Sequence, residues 1–128
     1  DASDGLSMNV SSTLAEANFA VFGNNNSSGT TTDNLPSGQS LQKRSSREWQ
    51  LEESGTVTVN IKIDISDATG NNITPAAASN YKLLFKSCTE CDFVVNATGS
   101  SSSGDIITFS NISIQDGFYS IASTDSNI

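Results

Sequence analysis

From Thr56 to Ile65 the chain alternates without a break. Val57, Val59, Ile61, Ile63 and Ile65 are apolar, and Thr56, Thr58, Asn60, Lys62 and Asp64 are polar. Successive side chains of a strand point to opposite faces, so this segment has one dry, β-branched face and one wet face. That is how a strand reads when its antiparallel sheet has one side in a core and one in water. The pattern predicts a central strand of a sandwich. The tight Glu53-Ser54-Gly55 connection would hairpin it to the strand carrying Trp49. Its wet face groups no residues that suggest catalysis.

Shorter β-type runs flank it. Leu6–Val10 alternates and predicts a short first strand, and Ala17–Phe22 a second. The stretch from Gly23 to Gly29 is a loop by composition and continues through Pro36-Ser37-Gly38. Leu41–Leu51 predicts the third strand, with Trp49 and Leu51 sharing a face. After the opening strand, Asp67–Asn72 reads as a loop. Thr74-Pro75 before Ala76–Asn80 reads as one capped helical turn. Tyr81–Lys86, Phe93–Ala97, Ile106–Phe109 and Phe118–Ala122 complete the set, with Gly99–Gly104 as a hairpin loop. Seven or eight short strands separated by turn signals predict an all-β chain: a single antiparallel β-sandwich, Ig-like or jelly-roll-like, over 1–128. No internal repeat is evident.

Composition narrows the function classes. At 128 residues the chain suits one domain, which folds without needing metals or many disulfides. Fourteen acidic and six basic residues give a net charge of −8, which disfavours nucleic acid and anionic membrane surfaces as partners. Lys43, Arg44 and Arg47 form the one basic cluster, and Glu48 follows it at once. There is no histidine, so the commonest general base and transition-metal ligand are missing. Serine is abundant but has no base to activate it. No apolar run approaches the roughly 18 residues of a membrane-spanning helix. The chain opens Asp-Ala-Ser-Asp without Met, as a processed or excerpted segment does.

Cys88 and Cys91 are the two cysteines. A redox C-x-x-C wants a βαβ setting, whereas the flanks here read as strands. A zinc site wants two further Cys or His ligands, and the sequence holds none. A disulfide across a tight turn fits best, and it points to an oxidising compartment at the cell surface or beyond.

Several motifs keep their order along the chain. They are Leu35-Pro36-Ser37-Gly38, Arg47-Glu48-Trp49, Glu53-Ser54-Gly55-Thr56-Val57, Tyr81-Lys82-Leu83-Leu84 and Asp116-Gly117-Phe118-Tyr119. Together they resemble a β-rich module of large secreted bacterial cell-surface, adhesin-like proteins, from about Val21 to the end. The resemblance implies a noncatalytic adhesive or structural part. Such modules usually place an Asp-rich turn where this chain has Ser87-Cys88-Thr89-Glu90-Cys91, so a cation-holding turn is replaced by a covalent clip.

The expected function follows from these readings. The chain is expected to be a noncatalytic extracellular structural protein, a filament- or pilus-like subunit that assembles with copies of itself or with neighbouring modules. Leu6, Met8 and Val10 in 1–11 are the candidate donor strand, either exchanged between copies or held as an edge strand. The alternative is a glycan- or ligand-binding adhesin module, with Trp49 or Tyr119 as the aromatic platform; core burial of Trp49 is the competing expectation. No cofactor is expected except Ca²⁺, for which Asp64 and Asp67 are the best pair. Of the Asn-x-Ser/Thr sequons, Asn25, Asn26 and Asn96 are the favoured glycosylation sites.

Overall fold

The computed structural model describes residues 2–3, 5–10 and 19–128. In chain order its elements are β1 (Ala2–Ser3), β2 (Leu6–Val10), β3 (Phe19–Asn24), β4 (Thr30–Thr31), β5 (Lys43–Ser45), β6 (Trp49–Ser54), β7 (Thr58–Asp64), α1 (Ile65–Thr69), a 3-10 turn (Ala78–Asn80), β8 (Tyr81–Lys86), β9 (Val94–Thr98), β10 (Ser101–Ser103), β11 (Ile106–Ser113) and β12 (Gly117–Ser123). All strand pairs are antiparallel. They form two sheets, one ordered β1-β2-β7-β11-β10 and one ordered β3-β6-β12-β8-β9, with β5 and β4 continuing the β6 and β3 ribbons. This is the expected all-β sandwich. The strands outnumber the expected eight because two long ribbons are broken and because β1 and β10 are short additions.

The alternating segment behaves as its pattern dictates. β7 is the middle strand of its sheet, between β2 and β11, and Val59, Ile61 and Ile63 are buried in the core. Facing them from the second sheet are Trp49, Leu51, Tyr81, Leu83, Tyr119 and Ile121, all fully buried in the same cluster. β11 keeps its apolar residues inward by a bulge. Phe109 and Ile112 are three apart, a spacing that would put them on opposite faces of a regular strand. Their register against β7 shifts between them; Asn111 takes φ 56° and its N–H donates to the Asn60 side-chain oxygen.

Four expectations need correction. β7 is not hairpinned to β6: Gly55, at φ 74°, carries the chain from one sheet to the other, and β6 pairs with β3 and β12. A three-residue turn signal is shared by hairpins and by sheet-to-sheet arches, so sequence alone does not separate them. Ile65 leaves the strand and begins α1, in what was expected to be a strand end followed by a loop; Asp64 caps this helix and Gly70 ends it at φ 76°. The Ser101–Ser103 run, expected inside a hairpin loop, is itself strand β10 paired with β11. The helical turn starts after Ala77 with no side-chain cap, so Thr74 is not its cap.

β8 and β12 are buried almost along their whole length, which is why neither alternates cleanly in sequence. One face of each joins the main core. The other carries Leu84 and Ala122, on which Phe93 packs, with Leu35, Leu41 and Val95 around it. The 32–42 loop and the 87–93 turn thus form a flap over the outer face of the second sheet.

Candidate functional site

Phe93 is the centre of this flap and is 2% exposed. Two cations lie over its ring, the Arg44 guanidinium carbon and Lys86 Nζ, each 4.8 Å from the centroid. A ring face is negative, and cation–π attraction strengthens when the cation is desolvated; both of these side chains are buried. One carboxylate serves both: Glu48 Oε1 is 2.9 Å from Lys86 Nζ, and Glu48 Oε2 is 3.5 Å from Arg44 Nη2. Burial pulls the Arg44 pKa below its usual value, opposed by the charges of Glu48 and Asp33. The guanidinium remains a cation. Its Nε donates to the Asp33 carbonyl at 2.8 Å and its Nη1 to the Ser45 carbonyl at 2.9 Å.

The same groups tie down the cysteine turn. Cys88 and Cys91 are disulfide-bonded, with Cα atoms 5.1 Å apart. Lys86 Nζ donates to the Thr89 carbonyl inside that turn, at 3.2 Å. Asn34 reaches across from the opposite loop. Its Nδ2 donates to the Cys91 carbonyl and its Oδ1 accepts the Phe93 N–H, both at 3.0 Å. A break in the β5–β6 ribbon makes room for this arrangement: Ser45–Glu48 oppose only Ser120 and Ile121 of β12. The Ser120 hydroxyl shares its proton between the Ser45 and Arg47 carbonyls, which fixes the break. Beside the flap lies a groove of about 560 Å³ lined by Asn34, Leu35, Pro36, Asp92, Val94 and Val95, among others.

The structure scatters the residues singled out in sequence. Trp49 and Tyr119 are both fully buried core residues, directly opposite each other on β6 and β12, so neither can serve as a surface platform for a ligand. Tyr119 instead packs against Phe85, with centroids 5.0 Å apart and the rings tilted by 55°, and burial raises its pKa. Asp64 is committed to α1: its Oδ1 accepts from the Ser66 hydroxyl at 2.7 Å and from the Asp67 N–H at 3.3 Å. Ser66 also holds the Asp105 carboxyl below its usual pKa by hydrogen bonding. Asp64 and Asp67 therefore sit at a helix cap, and no group of three or more His, Cys, Asp or Glu suited to a metal occurs among the described residues. Asn25, Asn26 and Asn96 are all exposed, and the Asn25 side chain is engaged with Ser46, Ser27 and Glu48. Leu6 and Met8 are buried in the core of their own chain, and Val10 pairs with Val59 in register.

Sequence reasoning missed Asn34, Glu48, Lys86 and Phe93 as a group. The one available signal was the basic cluster around Arg44 followed directly by an acid. Nothing local in the sequence indicates that residues 34, 48, 86 and 93 converge.

Residues 3–118 match the family described as Domain of unknown function (DUF8202). The chain belongs to that family. The match runs from β1 to the second residue of β12, so it takes in both flap loops and leaves Tyr119–Ser123 of β12 outside. No curated protein and no solved structure matches the chain.

Proposed function

We propose that this DUF8202 domain is a noncatalytic structural subunit of a bacterial cell-surface assembly, placed outside the cell, that joins copies of itself by strand complementation. The observation that carries this reading is β2. Five consecutive residues, Leu6–Val10, pair with the central strand β7, and Leu6 and Met8 fill the core between the sheets. Among the described residues, the two-residue β1 alone lies outside β2 in this sheet. A strand that completes a core from the rim of its sheet does the same work whether its own chain or a neighbour supplies it. The disulfide and the interior ion network support the reading, since both brace loops against a rigid sandwich in an oxidising setting.

The test uses a chain lacking residues 1–11 and a synthetic peptide of that sequence. The truncated chain is expected to bind the peptide and to stop forming the higher oligomers of the full chain, read by light scattering and electron microscopy. Assembly of the truncated chain at the full-length level would refute strand complementation. A ligand-binding module is the second reading. The groove beside Asn34 and Asp92 is the observation for it, and glycan-array binding lost on Asp92→Ala would favour it.

A further inference from the structure

Strand β9 ends the second sheet. It pairs with β8 on one side, and no strand among the described residues pairs with the other. Unpaired edges template association, and proteins normally guard them with lysine, proline, inward charges, bulges or short length. β9 reads Val94-Val95-Asn96-Ala97-Thr98, with no charge and no proline, and its only guard of these kinds is the bulge at Asn96. Val94 is 56% exposed, the most exposed large apolar side chain among the described residues. The groove with Leu35 and Pro36 runs along the same strand.

We infer that the free edge of β9 is a self-association edge, on which two copies of this chain pair β9 to β9, antiparallel, joining their second sheets. Charge selects the occupant. The chain carries a net −8, so two copies repel over most of their surface and meet without like-charge contact only where charge is absent. The five residues of β9 are such a place. With the strands centred, Asn96 faces Asn96 of the other copy, and Val94 lies opposite Thr98. The nearest acid to the strand in sequence, Asp92, lies two residues before it and, in this register, outside the five paired positions. This inference rests on the self-assembly reading and names a second, lateral junction distinct from β2.

The test is a charge swap at Asn96, which is exposed and lies in the bulge without a partner in β8. Sedimentation equilibrium is run on the full chain, on Asn96→Lys, on Asn96→Glu and on their equimolar mixture. Each variant alone is expected to raise the β9 dimer dissociation constant roughly tenfold or more, because like charges then face each other. The mixture is expected to recover dimers at the wild-type level or better. Circular dichroism checks that each variant is folded, and Thr98→Lys serves if one is not. Dimerisation of Asn96→Lys at the wild-type constant overturns the proposal, as does a mixture that stays monomeric. A full chain that stays monomeric in this assay also overturns it. Strand complementation by β2 is read independently from the peptide experiment, so either junction can fail without the other.

Discussion

Glu48→Gln removes one negative charge from a buried group that holds two positive ones. Glu48 lies 2.9 Å from Lys86 Nζ and 3.5 Å from Arg44 Nη2, and the two cations are 6–7% exposed at their side chains. Truncating one partner of a buried pair costs about 3–5 kcal/mol, because the opposite charge is left in low dielectric without compensation. Here the Glu48 side chain keeps 19% exposure, and glutamine retains an oxygen for Lys86, so the low end applies. The unfolding entropy of a chain of 128 residues is about 0.27 kcal/mol per kelvin. A loss of about 3 kcal/mol therefore lowers Tm by roughly 11 °C. The assay is thermal unfolding by circular dichroism, with hydrogen exchange over residues 33–42 and 87–95 as the local readout. The double variant Glu48→Gln/Lys86→Met also removes one of the stranded cations. It is expected to be less destabilised than the sum of the singles, by roughly 1–3 kcal/mol. A Tm change below about 3 °C, or additive singles, would show that Glu48 is a solvated carboxylate and that the flap is held by apolar contacts alone.

Opening the Cys88–Cys91 bridge, by reductant or by the double Cys→Ala variant, removes a four-residue loop constraint worth about 2 kcal/mol in the chain-entropy model. Tm is expected to drop by roughly 7 °C, and an unchanged Tm would show that Lys86 and Asn34 hold the turn without it. The chain is also expected to lose stability in alkali. Burial, reinforced by Asp125, pushes the Tyr81 pKa up to about 12. The folded state keeps a proton that the unfolded state releases near the ordinary tyrosine value, so stability falls as pH rises from about 10 to 12. Tyrosinate absorbance and circular dichroism followed together check this. Tyr81→Phe is expected to flatten the loss, and an equally steep loss in that variant would show that Tyr81 is not its source.

The first sheet was legible because water lies on one of its faces. β7 alternates as its burial requires, and Leu6–Val10 was read with the bounds it has. Tyr81–Lys86 was also located correctly, although its apolar run says nothing about which residues lie on which face. What escaped was whatever depends on residues far apart in the chain. The Glu53-Ser54-Gly55 turn encodes a reversal but not the layer into which the chain returns. Asp64 read as a strand-end carboxylate because a five-residue helix leaves too short a period to detect. The aromatic residues Trp49 and Tyr119 lay in strands, where side-chain parity suits a core as well as a groove. Phe93 looked like a strand residue. It acts instead as a lid, positioned by Asn34 from 59 residues away.

The flap also explains why the second sheet has an incomplete edge. It covers the outer face over β12 and β8, where Ala122 and Leu84 meet Phe93, and Val95 of β9 packs against the same cluster. Val95, like Leu35 and Leu41, packs against the cluster of Leu84, Phe93 and Ala122, while its neighbour Val94 turns to the other face and stays exposed. The alternation that buries one valine exposes the next. Fixing Val95 therefore fixes Val94, so the exposed side chain on β9 is held by the ion network and disulfide that hold the flap. Loosening the flap through Glu48 or the cysteines should disorder the β9 edge as well. An apolar edge strand braced on one face and open along its rim is already ordered for a partner, so pairing there costs little further backbone entropy.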